Sequence, residues 1–293
     1  MKLLPGSRVG AAGLLLLVTV SCGSDGEPAS TESSPPSKGL ASSESSDVAP
    51  PAGLVDVGDR SIFLECKGSG SLTVVLEAGL TGDSRTWERV APTIADKTRV
   101  CAYDRANIGR SDAAPTPRTA QEMVDDLNAA LRAAGERSPF VLVGFSFGGL
   151  VSQLYASAYP SEVAGIVLVE SSHPDEVDVF QSHLTEAQVA EDRAAIQDNP
   201  EGVDVLASFA QAQVAVDLPA VPLVVVSAAR SDGWPPDWDA ELFDRLRTQQ
   251  QRQLAALAPG GQRVIADDSG HNVPLEQPEA VIAAIVTVVT KSR

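Results

Sequence analysis

The chain is 293 residues long and 43% hydrophobic, with 39 acidic against 22 basic residues and a formal net charge of −17. That apolar content excludes a disordered chain and a multi-span membrane protein. With no basic run, a nucleic-acid groove is excluded and adhesion of the whole domain to anionic lipid is unfavourable; the acidity speaks for solubility and self-repulsion rather than for a substrate.

At the start, Lys2 and Arg8 carry positive charge and precede an apolar or small stretch at 9–20. It has the length of a signal h-region and is too short to span a bilayer, which takes about 20 residues. It ends Thr19-Val20-Ser21-Cys22, which resembles the lipobox of bacterial lipoprotein signals, whose Cys becomes the acylated N-terminus. Thr19 departs from the usual aliphatic residue. The resemblance implies a signal peptide over 1–21 and a protein exported and anchored by lipidated Cys22 to the outer face of the bacterial cell membrane. An ordinary cleaved signal, giving a secreted protein, is the alternative. Stable anchoring takes more than one acyl chain. Residues 22–52, rich in Ser, Pro, Glu, Gly and Ala without apolar periodicity, are predicted to be a disordered tether, and 53–293 to be the folded domain.

Within the domain, strands are predicted at 61–66, 72–77 and 99–103. Met123, Leu127, Ala130 and Leu131 recur at helical spacing over 120–134. Continuous apolar runs at 140–143, 164–169 and 223–226 have the pattern of parallel strands covered on both faces, and 263–265 is a last short strand. Helical patterns lie between them, and 278–291 is an apolar closing helix. Alternation of strand and helix predicts a parallel, doubly wound α/β sheet. The polar, Ala/Gln/Glu/Asp-rich segment at about 173–220 breaks the rhythm and is predicted to be a helical cap.

The run at 140–143 leads into Gly144-Phe145-Ser146-Phe147-Gly148-Gly149 and then a helical pattern. This is G-x-S-x-G between strand and helix. A serine there sits on a tight turn, so the residues two before and two after must lack side chains. At ordinary Gly and Ser usage chance supplies about 0.1 such match in a chain this long, so the flanking strand and helix carry the argument. The turn exposes the Ser146 hydroxyl, and the Phe147 amide can donate to a developing oxyanion.

From about Leu54 onward the domain resembles the α/β-hydrolase fold family of esterases, lipases and related enzymes. Four stretches carry the resemblance: Glu77-Ala78-Gly79-Leu80, the segment 103–112 (YDRANIGRSD), the Ser146 turn, and Ser269-Gly270-His271. In the second, Asn107 replaces the usual first Gly of a D-x-x-G-x-G-x-S pattern, a change Asn tolerates because it visits left-handed backbone. The resemblance implies an eight-stranded, mostly parallel sheet with a cap. It also implies an oxyanion hole from the Leu80 and Phe147 amides, although Ala78 stands where the family usually has His. Cys66 and Cys101 then fall on neighbouring strands, implying a disulfide in an exported domain.

A serine nucleophile needs a base within hydrogen-bond reach. Of three histidines, His183 falls among polar cap residues and His173 in a loop just past a strand. His271 follows the last strand and gives the family's order of serine, acid, histidine. Two acids compete to orient it. Glu170 ends the buried run 165–169, where an unpaired carboxylate would be costly; Asp232 lies in the loop after 223–226, which also holds Trp234, Pro235 and Pro236. The reading leans to Glu170, with Asp232 as alternative and Asp175 and Asp237 as minor ones. No metal-ligand spacing or dinucleotide signature is found, so no cofactor is expected. The expected function is hydrolysis of a small to medium, partly apolar ester or related small-molecule acyl substrate. Epoxide hydrolases and haloalkane dehalogenases need a carboxylate at position 146 and are disfavoured. A cofactor-free haloperoxidase, a C–C hydrolase, a peptidase, or a binding protein that retains the pocket without turnover are the alternatives. Trp87, Trp234, Trp238, Phe145 and Phe147 are expected either to line the pocket or simply to pack.

Overall fold

The structure, a computed structural model, describes residues 52–231 and 233–293. The signal segment, Cys22, nearly all of the tether and Asp232 lie outside the described residues. Eight strands are found among those described: β1 Ala52–Asp56, β2 Ser61–Lys67, β3 Thr73–Glu77, β4 Arg99–Asp104, β5 Phe140–Phe145, β6 Val163–Val169, β7 Leu223–Ala228 and β8 Gln262–Ala266. They form one sheet in the order β1-β2-β4-β3-β5-β6-β7-β8, antiparallel at β1/β2 and β2/β4 and parallel elsewhere. The predicted α/β class and mixed eight-stranded sheet are thus observed.

The continuous apolar runs have a direct cause. Because strand side chains alternate between faces, Val75, Leu142, Ile166, Leu168 and Val225 enter one core, and Val74, Val141, Val143, Val167 and Val226 enter the other. Helices cover both. Helices α1 (Ala91–Ala95), α2 (Ala120–Ala133) and α3 (Phe147–Ala158) come first. The cap follows as α4 (Glu176–Gln181), α5 (Glu186–Gln197) and α6 (Val205–Ala215), and then come α7 (Ala240–Ala255), α8 (Val273–Glu276) and α9 (Pro278–Lys291). Met123, Leu127 and Leu131 of α2 and Leu150 and Leu154 of α3 fill the first core; Ile94 of α1 and Val281, Ile285 and Val288 of α9 fill the second. Helix α2 is capped by Thr119, whose amide donates to Glu122 at 2.8 Å, one arm of a capping box. No helix of the described residues is long and apolar enough to cross a membrane.

Cys66 on β2 faces Cys101 on β4 in register, and the two form a disulfide. Strand β1 is an addition to the expected elements. It is a five-residue edge strand of exposed and half-buried residues, so its sequence has no buried stripe to announce it.

Candidate active site

The parallel strands deliver their carboxyl ends to one rim of the sheet, where open α/β folds place their sites. Ser146 stands between β5 and α3 with φ 53° and ψ −125°. That backbone is strained for a residue with a side chain and persists only where its surroundings impose it. The glycines around it supply the space. A Cβ on Gly144 would strike the Gly148 carbonyl, one on Gly148 the Glu77 and Ala78 carbonyls, and one on Gly149 the Ser171 side chain. The Ser146 amide donates to Val169 O at 3.1 Å, and its own carbonyl accepts from Gly149 and Ser172 amides at 2.9 and 3.1 Å. The turn is held from both sides while Ser146 stays partly open to solvent.

His271 reaches it from the loop between β8 and α8. Its Nε2 lies 3.0 Å from Ser146 Oγ, so residues 125 apart in sequence meet at hydrogen-bond distance. The loop is braced: the Glu276 carboxylate accepts from the Gly270 amide at 2.9 Å and pairs with Arg230 at 2.9 Å. The Phe145 ring lies 5.1 Å from the imidazole, tilted by 41°.

The other named residues fall as follows. Leu80 is buried just past β3, and Phe147 is the buried first residue of α3. Gly79 lies close against Ser146, since a Cβ there would come within 3.2–3.3 Å of the Phe145 ring and Ser146 Cβ. Glu170, 3% exposed, extends β6 one residue beyond its pairing with β5, at φ 40°. Its carboxylate accepts from the Ala228 amide at 2.6 Å and pairs with Arg247 at 3.3 Å. His173 is buried; its Nδ1 accepts from the Asp175 amide at 3.1 Å, and burial holds its pKa below the ordinary value. His183 is exposed. Burial likewise pushes the nearby Glu176 carboxyl up to about 7, countered by bonds from the His173 backbone and the Ser172 hydroxyl.

For the aromatics, packing roles are visible. Trp87 is fully buried, Phe147 packs on Phe209 of α6, and Trp234 stacks on Trp238 and meets Phe180 edge-on, both tryptophans lying tilted against Phe243. Sequence reasoning passed over Arg105, Glu77 and Glu201, which form a buried ion cluster behind Gly79. Glu77 and Arg105 lie inside the quoted stretches, but nothing in the sequence couples them to a glutamate nearly a hundred residues on.

The family described as alpha/beta hydrolase fold matches residues 73–237. The protein YqjL of Bacillus subtilis (strain 168) is 27% identical over 231 residues, covering 76% of this chain and 85% of that protein. Two further curated relatives are spanned over only 18% and 28% of their own length. Among solved structures, a thermophilic esterase from Thermogutta terrifontis, malate bound, aligns with a TM-score of 0.60 at 23% identity, covering 82% of this chain and 98% of that one. The enol-lactonase from Burkholderia xenovorans LB400 aligns with a TM-score of 0.59 at 19% identity, covering 81% and 100%. At these identities the structural matches speak for the fold alone.

Proposed function

Because the chain belongs to the α/β-hydrolase fold family, we propose that it is a serine hydrolase acting on small to medium, partly apolar esters or related acyl compounds. The observation that carries the reading is the 3.0 Å approach of His271 Nε2 to Ser146 Oγ, on a strained turn where Ser146 is partly exposed. In this mechanism Ser146 Oγ attacks the acyl carbon and its proton passes to His271 Nε2. The carbonyl oxygen, now negative, is held by the Leu80 and Phe147 amides. The C–O bond to the leaving group breaks, and the leaving group takes the proton from His271. Water, deprotonated by the same imidazole, then releases the acid and restores the serine.

The residue that orients His271 is a carboxylate, Glu170 or Asp232. Glu170 is bound by the Ala228 amide and Arg247. A guanidinium beside a carboxylate competes for the charge that would otherwise stabilise the imidazolium. Ala228 also ends β7, just before the loop containing Asp232. We propose Asp232 as the orienting acid, with Glu170 supporting the Ala228 end of β7; the opposite assignment, which strand position suggests, is the alternative.

A series of p-nitrophenyl esters of graded acyl length tests the ester class: turnover is expected to peak at short to medium chains. A flat zero across the series would contradict the esterase reading. The exported, lipid-anchored location proposed from Cys22 has its own check. Cys22→Ala is expected to shift the protein out of the membrane fraction, since lipid chains rather than the acidic domain would hold it there. Retention in the membrane fraction would remove the anchor from the account.

A further inference from the structure

Arg105 follows β4 directly and is 2% exposed. All five of its N–H groups are engaged, the full donor capacity of a guanidinium. Nε donates to Glu201 Oε1. Nη1 donates to Glu77 and, at 2.7 Å, to Ala78 O. Nη2 donates to Gly79 O at 2.7 Å and to Glu201 Oε2 at 2.9 Å. Glu201 Oε2 also accepts the Thr81 amide at 2.9 Å. Burial opposes the Arg105 charge, but Glu201 and Glu77 outweigh it and hold its pKa well above the ordinary value.

These contacts fix a direction. In a trans peptide the C=O and the following N–H point opposite ways. With Gly79 O turned to Arg105, the Leu80 N–H is turned away from it. Gly79 itself rests against Ser146 on its other side. The next amide, Thr81, is drawn back by Glu201 at a left-handed φ of 62°. The guanidinium and the glutamate therefore hold the strand-end turn from behind, so that the Leu80 donor points away from them.

Glu201 belongs to the cap segment, between α5 and α6, and is 1% exposed. Its carbonyl accepts from Asn107 Nδ2 at 3.1 Å, and the carbonyl of the next residue, Gly202, accepts from the Arg118 amide at 2.8 Å. A buried cluster of two carboxylates on one guanidinium is poor value for stability alone, because desolvation of three charges offsets much of their attraction. The geometry points to Arg105 and Glu201 as positioning residues for the oxyanion hole, with Glu201 a latch through which the seating of the cap sets the aim of the Leu80 amide. This rests on the reading of Leu80 N–H as an oxyanion donor.

The test uses the full chain and a phenylboronic acid, which forms a tetrahedral adduct on an active serine, beside an ordinary ester substrate. Glu201→Gln keeps volume and removes the charge. It is expected to lower kcat about 10- to 100-fold with KM within about threefold, and to weaken the boronate by a similar factor. Arg105→Lys, which keeps charge but loses the fork, is expected to show the same split. A folded Glu201→Gln protein with kcat and boronate affinity both within about threefold of wild type would overturn the latch. If the variants do not fold, amide exchange on the wild type decides. Boronate is expected to slow exchange at 199–204 together with 78–82, and protection of 78–82 alone would refute the coupling. A wild-type chain that fails to react at Ser146 with a fluorophosphonate removes the hydrolase reading, and this inference with it. A wild type that reacts while the split is missing removes the latch only.

Discussion

Ser146→Ala is expected to lower kcat/KM on the best ester by about 10⁴-fold or more while leaving the fold intact. The size follows from the step removed. Without the hydroxyl there is no acyl-enzyme, and the remaining amide donors and binding surface give only the residual catalysis left when a nucleophile is deleted. The fold is expected to survive because the bonds that hold the turn come from Ser146 backbone atoms, its amide on Val169 and its carbonyl under Gly149 and Ser172. Alanine keeps those atoms. It also keeps the positive φ, so the strain of the native turn is unchanged rather than added. The thermal midpoint is accordingly expected within a few degrees of wild type. A variant retaining a tenth or more of the activity would mean that another residue carries the chemistry.

Asp232→Asn is expected to lower kcat by about 10³- to 10⁴-fold with KM little changed. An amide can still hydrogen-bond an imidazole but favours the wrong tautomer and gives the imidazolium no charge partner. Glu170→Gln is expected to act differently. It breaks the pairing with Arg247 and weakens the hold on the Ala228 amide. The result is an activity loss of about tenfold with a lower thermal midpoint, since the half-buried Arg247 loses its nearer carboxylate and retains the more distant Asp244 at 3.9 Å. Kinetics and melting curves on the two variants separate the roles. A loss of about 10³-fold in Glu170→Gln with Asp232→Asn near wild type would return the acid to the tip of β6.

The parts of this molecule that could be read from sequence are those in which one local pattern does one job. Strands β5, β6 and β7 are covered on both faces, so each is an unbroken apolar run. The spacing of Gly144, Ser146 and Gly148 is demanded by the close approach of strand, turn and helix. His271, which follows the last strand in sequence, lies in the loop between β8 and α8. What escaped depends on contacts made across the fold. Helix α7 reads as a polar stretch, yet it buries Gln250 and Gln251 and sends Arg247 to Glu170. Helix α5 buries only Asp192 and Ile196, so its sequence marks no face. The work of Glu201 is set by Arg105, 96 residues away, and no local period records that. The choice between Glu170 and Asp232 was open for the same reason, because strand position does not reveal which cation a buried carboxylate meets.

The central claim is that the hydroxyl of Ser146 is a nucleophile activated by His271. Intact-mass analysis after exposure to a fluorophosphonate tests it most directly. The account predicts one phosphonyl adduct per wild-type chain, mapping by peptide analysis to Ser146, absent from Ser146→Ala and formed at least about 10²-fold more slowly in His271→Ala. A folded wild-type chain that gains no mass, or carries its adduct on another residue, would contradict it.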